Sequence, residues 1–243
     1  MSFNLNKLMT ATVLLTASLA IAACAPAPNV DEAGQEASAP SESAPAPMNA
    51  LPLPQTPGIS KGAASTILAK YQHLDPSHIV PTALLEKAVV YFDANQSSFA
   101  NKNYIVVLDF SKSSNTKRFF TINLKSGAVQ SYYVAHGSGS DKNHDGIAET
   151  FSNSNGSNAS SLGFYRTAET YDGKHGYSLR MDGLSATNSN VRARAIVIHG
   201  ADYVKNAPQI QGRSWGCFAF PMEQRTAIID MLKGGALIYA ATK

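Results

Sequence analysis

The sequence changes composition near residue 58, and this break limits where a packed domain can form. From residue 25 to about residue 58 the chain consists mainly of Ala, Pro, Ser and Glu, without an aromatic residue, Lys or Arg. Such a segment cannot bury enough apolar surface to offset the entropy lost on ordering. We therefore predict a disordered tether over residues 24–58 and one folded domain over residues 59–243, a length sufficient for a substantial core.

The N-terminus has the pattern of an export signal. Lys7 precedes an uncharged, apolar stretch over residues 8–23, which is the size of a signal-peptide core. The stretch ends in Ile21-Ala22-Ala23-Cys24, which resembles the lipobox of bacterial lipoproteins. The resemblance implies a signal peptide over residues 1–23, cleavage before Cys24 and acylation of its thiol. Ordinary signal cleavage after the next residue is the alternative, because a small residue stands on either side of Cys24.

Lipidation implies a periplasmic protein that is tied to a membrane through its lipid anchor. Ala25 follows Cys24, whereas Asp at that position is often associated with retention in the inner membrane. We therefore expect the outer membrane rather than the inner one.

Charge is divided unevenly between the tether and the folded part. Four acidic residues lie in the tether, whereas residues 59–243 hold 19 of the 20 basic and 13 of the 17 acidic side chains, a net charge of +6. A modest positive surface suits an anionic polymer, either cell wall or nucleic acid. Export argues against nucleic acid, so we predict a cell-wall partner and no nucleic-acid partner.

Hydrophobic periodicity predicts a small helical cap followed by a mostly β domain. Helical spacing of apolar residues predicts two early helices and one late helix, over 60–71, 81–95 and 222–232. Alternating or continuous apolar runs predict strands over 104–110, 118–124, 129–134, 162–167, 178–184, 193–199 and 236–241. This order favours a mixed, mostly β fold over an alternating βαβ fold.

A long polar segment over residues 137–163 interrupts the strands, and loops of this length are usually functional or mobile. Within it, Asp141 to Gly146 resembles a calcium-binding loop, but Ser152 stands where such a loop ends in Glu. The scattered His residues also lack the ligand spacing of a zinc site. We therefore predict no metal, and no glycine loop precedes a helix in the way a nucleotide cofactor requires.

Cys217 and His199 are the residues most suited to covalent chemistry. A thiol is mostly protonated at neutral pH, so a nucleophilic Cys needs an adjacent base or positive charge. His199 ends the apolar run of residues 195–198, which predicts an imidazole at a sheet edge. Gly216 precedes Cys217 and permits a tight turn whose N–H groups approach a developing oxyanion. We interpret Cys217 as the nucleophile and His199 as its base; an inert buried Cys is the alternative.

These residues resemble the signature of the murein L,D-transpeptidases of the YkuD type. The signature is a His, a gap and then Ser/Thr-His-Gly-Cys, and the fourteen residues from Gly200 to Arg213 fit the gap before Ser214. Further stretches resemble one branch of this family, namely those over 136–141, 151–153, 160–163, 173–176 and 212–217. The likeness covers most of residues 80–241.

The resemblance implies a fold and a reaction. The fold would be a YkuD-like β-sandwich with short helices and an N-terminal helical cap, forming a catalytic domain over residues 59–243. Cys217 would attack the carbonyl of the third residue of a peptidoglycan tetrapeptide stem and expel the terminal D-Ala. The thioester would pass to an amine of a neighbouring stem, giving a 3-3 cross-link, or to water. No cofactor is implied.

The resemblance also assigns roles around this pair. His199 would be the general base, the Gly200 carbonyl would orient its imidazole, and backbone amides at Gly216 and Cys217 would form the oxyanion hole. The motif departs from the usual one at two positions, since Trp215 replaces the second His and Ala219 replaces a basic residue that often follows the Cys. We expect the chemistry to survive these changes.

We predict substrate contacts from four residues near this motif: Arg213, Ser214, Trp215 and His175. A guanidinium pairs bidentately with a carboxylate, so Arg213 or Arg180 could hold a stem carboxylate; a surface salt bridge is the alternative for each. His175 would line the groove or belong to a turn, and we interpret His136 as structural.

Three functions are compatible with the sequence. The first is a lipid-anchored L,D-transpeptidase, and the second is an L,D-carboxypeptidase or an amide hydrolase acting on wall–protein links. The third is a non-catalytic peptidoglycan-binding lipoprotein.

Overall fold

The structure is a computed structural model and describes residues 58–242. The predicted signal peptide, the lipidation site Cys24 and the tether up to residue 57 lie outside the described residues. Within residues 58–242, none of the helices combines the length and the apolar character that crossing a bilayer demands.

Three α-helices and eight strands make up the described domain. The helices are α1 (Lys61–Lys70), α2 (Thr82–Ala94) and α3 (Met222–Leu232). The strands are β1 (Tyr104–Asp109), β2 (Phe119–Asn123), β3 (Val129–Tyr132), β4 (Gly163–Gly173), β5 (Gly176–Gly183), β6 (Val197–Gly200), β7 (Phe218–Phe220) and β8 (Leu237–Ala241). Short 3-10 turns lie at Gln96–Ser98 and Ser138–Ser140.

All eight strands belong to one sheet, in the order β3-β2-β1-β8-β4-β5-β6-β7. The β1–β8 and β6–β7 pairs are parallel, and the other neighbours are antiparallel. The last strand of the chain, β8, lies in the middle of the sheet beside the first strand, β1. Because this pair is parallel, the chain reaches β8 by a connection that crosses over.

The sheet curls until its two ends meet. The ring of Phe119 on β2 lies 4.8 Å from the ring of Phe220 on β7, edge to face. Just beyond β3, the N–H of Ala135 donates to the carbonyl of Ala219 on β7 at 3.0 Å. The two halves of the sheet therefore face each other across a common core, and the predicted mostly β fold with short helices is confirmed.

The two sides of the sheet carry different cores because side chains alternate along a strand. On β1, Val106 and Leu108 point into the enclosed core together with side chains of β4 to β8 and α3. Ile105 and Val107 point to the other side, where the predicted helical cap, α1 and α2, packs. β1 is thus buried on both faces, which explains its continuous apolar sequence.

Two strand boundaries differ clearly from the sequence-based prediction, and one strand is missing from it. β4 continues to Gly173 rather than ending near residue 167, because it forms a long hairpin with β5. β6 begins at Val197 rather than at residue 193, because Ala195 has a left-handed φ of 52°. β7 is only three residues long and follows directly on Cys217, so its period-2 signal is too short to recognise.

Candidate active site

Strands β6 and β7 bring Cys217 and His199 to one side of the sheet. In this parallel pair Ile198 lies opposite Phe218, and His199 lies opposite Ala219. The same register places Cys217 beside Val197, whose N–H points at Cys217 Sγ from 3.5 Å. Alternation then puts the side chains of Cys217 and His199 on the same side, opposite to those of Ile198 and Phe218. The two residues are therefore diagonal neighbours across the parallel pair.

The imidazole of His199 is held in one tautomer. Its Nδ1 lies 3.0 Å from the carbonyl oxygen of Gly200, which is the contact that the family resemblance implies. A carbonyl can only accept, so Nδ1 carries the hydrogen in the neutral ring and Nε2 is left as the acceptor. The fold thereby presents the basic nitrogen that proton removal from a thiol requires.

Burial keeps His199 neutral at physiological pH. Only 1% of the residue is exposed. Burial, followed by the charge of the neighbouring His175, lowers the pKa of His199 from 6.5 to about 4, although the bond to Gly200 opposes the shift. A neutral imidazole can take a proton from Cys217, whereas an imidazolium cannot.

His175 contacts the base directly. It lies in the turn between β4 and β5, and its ring stacks on that of His199 with centroids 4.2 Å apart and planes 28° apart. Arg225 of α3 donates from Nη1 to the carbonyl of His175 at 3.3 Å and so ties this turn to the helix. The structure brings His175 to the site, and its contact with substrate stays a prediction.

Ser214 shapes the turn that carries Cys217. Its hydroxyl donates to the carbonyl of Cys217 at 2.8 Å and accepts from the N–H of Gly216 at 3.1 Å. Only 1% of Ser214 is exposed. The structure therefore places Ser214 inside the turn as a positioning group, which does not favour the predicted substrate contact.

Gly216 sits where only glycine fits. Its φ is +116°, and a Cβ there would lie 2.7 Å from the carbonyl oxygen of Ala159. Ser160 holds the same backbone from the other direction, because its hydroxyl donates to the carbonyl of Gly216 at 3.2 Å. The polar loop at residues 157–161 therefore packs directly against the backbone of the turn at Gly216.

Arg213 belongs to a buried polar network. It is 8% exposed, and its Nη1 donates to the backbone carbonyl of Asp141. His136 donates from Nε2 to the Asp141 carboxylate at 3.0 Å and accepts from Arg118 at Nδ1 at 2.8 Å. Burial, followed by the charge of Arg118, lowers the pKa of His136 to about 4. These contacts favour a supporting role for Arg213 rather than the predicted hold on a stem carboxylate, and they agree with a structural His136.

The other predicted residues fall in two groups. Trp215 is partly exposed beside the partly exposed Cys217, so it stays a candidate for substrate contact. Arg180 pairs with Glu169 at 3.4 Å and lies over the ring of Tyr171, so its guanidinium is already engaged.

Across residues 58–242, His, Cys, Asp and Glu side chains form no group of three or more that could hold a metal ion. In the loop that resembles a calcium site, the Asp141 carboxylate accepts from the backbone N–H groups of Asp145 and Gly146, at 3.1 and 3.0 Å, and from His136. Its oxygen atoms are therefore used by the protein itself.

Sequence reasoning missed Arg194. This residue precedes the left-handed Ala195, whose carbonyl oxygen lies 3.7 Å from Cys217 Sγ. Its guanidinium donates hydrogen bonds to the loop at residues 152–161, which packs against the turn that carries Cys217. The only sequence signal is a basic residue just ahead of the strand that ends in His199, and such a position does not by itself indicate a functional residue.

Comparison with known proteins gives a consistent family. The family model described as L,D-transpeptidase catalytic domain (YkuD_2) matches residues 77–241. No curated protein sequence matches the chain significantly.

Similar solved structures include an L,D-transpeptidase from Mycobacterium smegmatis, at 12% identity over 57% of this chain and 58% of that one, with a TM-score of 0.37. L,D-transpeptidase 1 of Mycobacterium tuberculosis matches at 14% identity over 57% and 61%, with a TM-score of 0.32. The L,D-transpeptidase of Xylanimonas cellulosilytica matches at 13% identity over 65% and 69%, with a TM-score of 0.35. This chain covers 50% and 59% of the length of two further matching structures.

Proposed function

The chain belongs to the L,D-transpeptidase catalytic-domain family, and from this membership we propose that it is a cysteine-dependent peptidoglycan L,D-transpeptidase. The substrate is the tetrapeptide stem of peptidoglycan, and the product is a 3-3 cross-link between neighbouring stems. One observation carries the proposal: Cys217 and His199 lie on the same side of adjoining parallel strands, with His199 Nδ1 bonded to the Gly200 carbonyl.

In the first half-reaction the thiol of Cys217 is acylated by the donor stem. The Sγ–H proton of Cys217 passes to Nε2 of His199, and the thiolate attacks the carbonyl carbon of the third stem residue. Backbone N–H groups at Gly216 and Cys217 stabilise the oxyanion. As the tetrahedral intermediate collapses, His199 returns its proton to the departing amine, so D-Ala leaves and a thioester remains on Cys217.

In the second half-reaction an amine of a neighbouring stem attacks the thioester. His199 takes the proton of that amine, and the thiolate departs as the new amide forms. The low pKa of His199 makes its imidazolium a strong acid that readily protonates a leaving group, and it makes the neutral imidazole a weaker base toward the thiol.

Water can replace the amine in the second half. Trp215 in the motif alters the surface next to Cys217, and the usual imidazole of that position is lost. Hydrolysis would make the protein an L,D-carboxypeptidase, with the same nucleophile and the same base.

We further propose that the protein acts in the periplasm, tied to the outer membrane by lipid on Cys24. The lipobox-like Ile21-Ala22-Ala23-Cys24 sequence supports the lipid anchor, and Ala rather than Asp at position 25 supports the outer membrane. The tether of residues 24–58 would let the catalytic domain reach the wall, because a chain of this composition spans tens of ångströms.

Incubation of the purified protein with disaccharide tetrapeptide, followed by mass spectrometry, tests the proposal. A cross-linked dimer with release of D-Ala supports transpeptidation, and a tripeptide monomer indicates transfer to water. Unaltered tetrapeptide together with retained binding to sacculi would contradict an enzymatic role and indicate a wall-binding protein.

A further inference from the structure

We propose that Arg194 supplies the positive charge that stabilises the thiolate of Cys217. This inference rests on the proposed nucleophile, and it assigns a positioning and electrostatic role to a residue outside the sequence motif. It starts from three observations: where the guanidinium is held, that no described carboxylate pairs with it, and that one of its acceptors, Ala159, lies against the turn that carries Cys217.

The guanidinium of Arg194 is fixed by four hydrogen bonds to one loop. Nη1 donates to the carbonyl of Ser152 and the hydroxyl of Ser161, at 2.7 and 2.8 Å. Nη2 donates to the hydroxyl of Ser157 and the carbonyl of Ala159, at 3.1 and 2.6 Å. All four acceptors are neutral oxygen atoms, so the bonds orient the cation without cancelling its charge.

No carboxylate within residues 58–242 forms an ion pair with Arg194. Arg192, two positions earlier, is different: it pairs with Glu169 at 2.8 Å and with Asp182 at 2.5 Å. Burial lowers the pKa of the Arg194 guanidinium, yet a guanidinium stays protonated in proteins. The fold therefore maintains a half-buried positive charge against the loop at residues 152–161, and such a charge favours an anion next to it.

The sulfur of Cys217 is the group placed to be that anion. The carbonyl of Ala159 accepts a hydrogen bond from Arg194. The same carbonyl lies against the turn that carries Cys217, because its oxygen would be 2.7 Å from a Cβ added at Gly216. On the other side, the N–H of Val197 points at the sulfur from 3.5 Å and favours an anion, whereas the Ala195 carbonyl at 3.7 Å accepts from the protonated thiol. The charges of Cys217 and of Tyr165 on β4 both favour the protonated guanidinium, and the interaction with Cys217 is reciprocal.

The site needs such a charge because its other cationic source is weak. His199 on β6 lies on the same side of the sheet as Cys217, but burial and His175 oppose its protonation. Ala219, two positions after the Cys, is a buried apolar residue where a basic one often stands in the family motif. An isolated thiol has a pKa of about 8.5, so a nearby fixed cation raises the thiolate fraction at neutral pH.

The test is the pH dependence of Cys217 alkylation by iodoacetamide in the full chain. Peptide mass spectrometry follows Cys217 separately from Cys24. Arg194→Gln keeps hydrogen-bond donors but removes the charge, whereas Arg194→Lys keeps the charge. Arg192→Met is the matched control, because that neighbouring Arg is neutralised by its own carboxylates.

We expect Arg194→Gln to raise the apparent pKa of the thiol by about one unit, which slows alkylation near pH 7 about tenfold, with rates converging at high pH. Arg194→Lys should restore most of the lost rate, and Arg192→Met should match the wild type. Two outcomes overturn the proposal: an unchanged profile in Arg194→Gln, or equal losses in the Gln and Lys variants, which would leave only a loop-holding role. If Arg194→Gln loses its cooperative thermal transition, the test rests on Arg194→Lys. A thiol pKa in Arg194→Lys that differs from the wild-type value would then contradict the proposal. Alkylation uses no stem peptide, so its result is separate from whether the protein is a transpeptidase.

Discussion

At the scale of single residues, the site depends on one turn whose backbone only glycine tolerates. Gly216 combines a positive φ with a close approach to the Ala159 carbonyl, and Ser214 and Ser160 fix the peptide groups on both sides of it. The family motif in the sequence points to Gly216 and Cys217. It does not reveal that Ser160 and its neighbour Ala159 lie against this turn, because the Ser160–Gly216 contact joins residues 56 positions apart, a separation that local pattern does not encode.

Gly216→Ala is expected to abolish most of the turnover and to lower the free energy of unfolding by about 1–3 kcal/mol, because the added Cβ meets backbone and the φ becomes strained. Urea unfolding and product formation from tetrapeptide measure the two effects. Gly156→Ala is the matched control, since Gly156 also has a positive φ (+73°) but open space around its Cβ position. Equal losses in both variants would assign the effect to φ alone and contradict a role for the Ala159 contact.

His175→Phe is expected to shift the acidic limb of the pH–activity profile to higher pH. The charge of His175 lowers the pKa of His199, so its removal raises that pKa, and the base becomes protonated at a higher pH than before. Phe keeps an aromatic ring against His199, which limits the change to charge and hydrogen bonding. The kcat/KM profile measures the shift, and His73→Phe, at an exposed His that bonds to Leu124, is the control. An acidic limb at the wild-type position would contradict coupling between the two rings.

At the scale of elements, the β6–β7 pair and the β4–β5 hairpin position Cys217, His199 and His175. The periodicity of the sequence predicts β1 to β3, α2 and α3 within a few residues, because each is longer than its repeat and is bounded by turn residues. It does not predict that β8 pairs with β1, or that β7 exists, because such pairings are set by tertiary contacts between distant segments. The Lys174-His175 turn is local in sequence, but its contact with His199 arises only when β5 pairs with β6.

Thr167→Val is expected to lower the free energy of unfolding by about 1–3 kcal/mol and to leave the reaction chemistry intact. The buried Thr167 hydroxyl donates to the carbonyl of Leu232 at 2.6 Å and accepts from the N–H groups of Gly235 and Ala236, at 3.1 and 2.7 Å. It thus joins the end of α3 to the start of β8. Urea unfolding measures the loss, and Thr170→Val on the same strand is the control. A loss below that of the control would contradict this role.

At the scale of the whole molecule, the proposal combines an anchored N-terminus, a spacer and a catalytic domain with a positive charge. The composition break at residue 58 predicts a boundary between tether and domain, because a segment without aromatic residues has little to bury. The first helix of the described residues, α1, begins at Lys61, and the boundary itself stays a prediction.

Cys24→Ala is expected to move the protein from the membrane fraction to the soluble periplasmic fraction, because the acylated thiol would be its anchor. Fractionation followed by immunodetection measures the change, with Cys217→Ala as the control that retains the anchor. Membrane association equal to that of the wild type would contradict lipidation at Cys24.

The central claim is that Cys217 carries the acyl group of the donor stem. Intact-protein mass spectrometry after acid quenching of a reaction with tetrapeptide tests it most directly. The account predicts an adduct on Cys217 with the mass of the donor minus D-Ala, sensitive to hydroxylamine and absent from Cys217→Ala, which should keep its fold. Consumption of tetrapeptide by Cys217→Ala at the wild-type rate would contradict it.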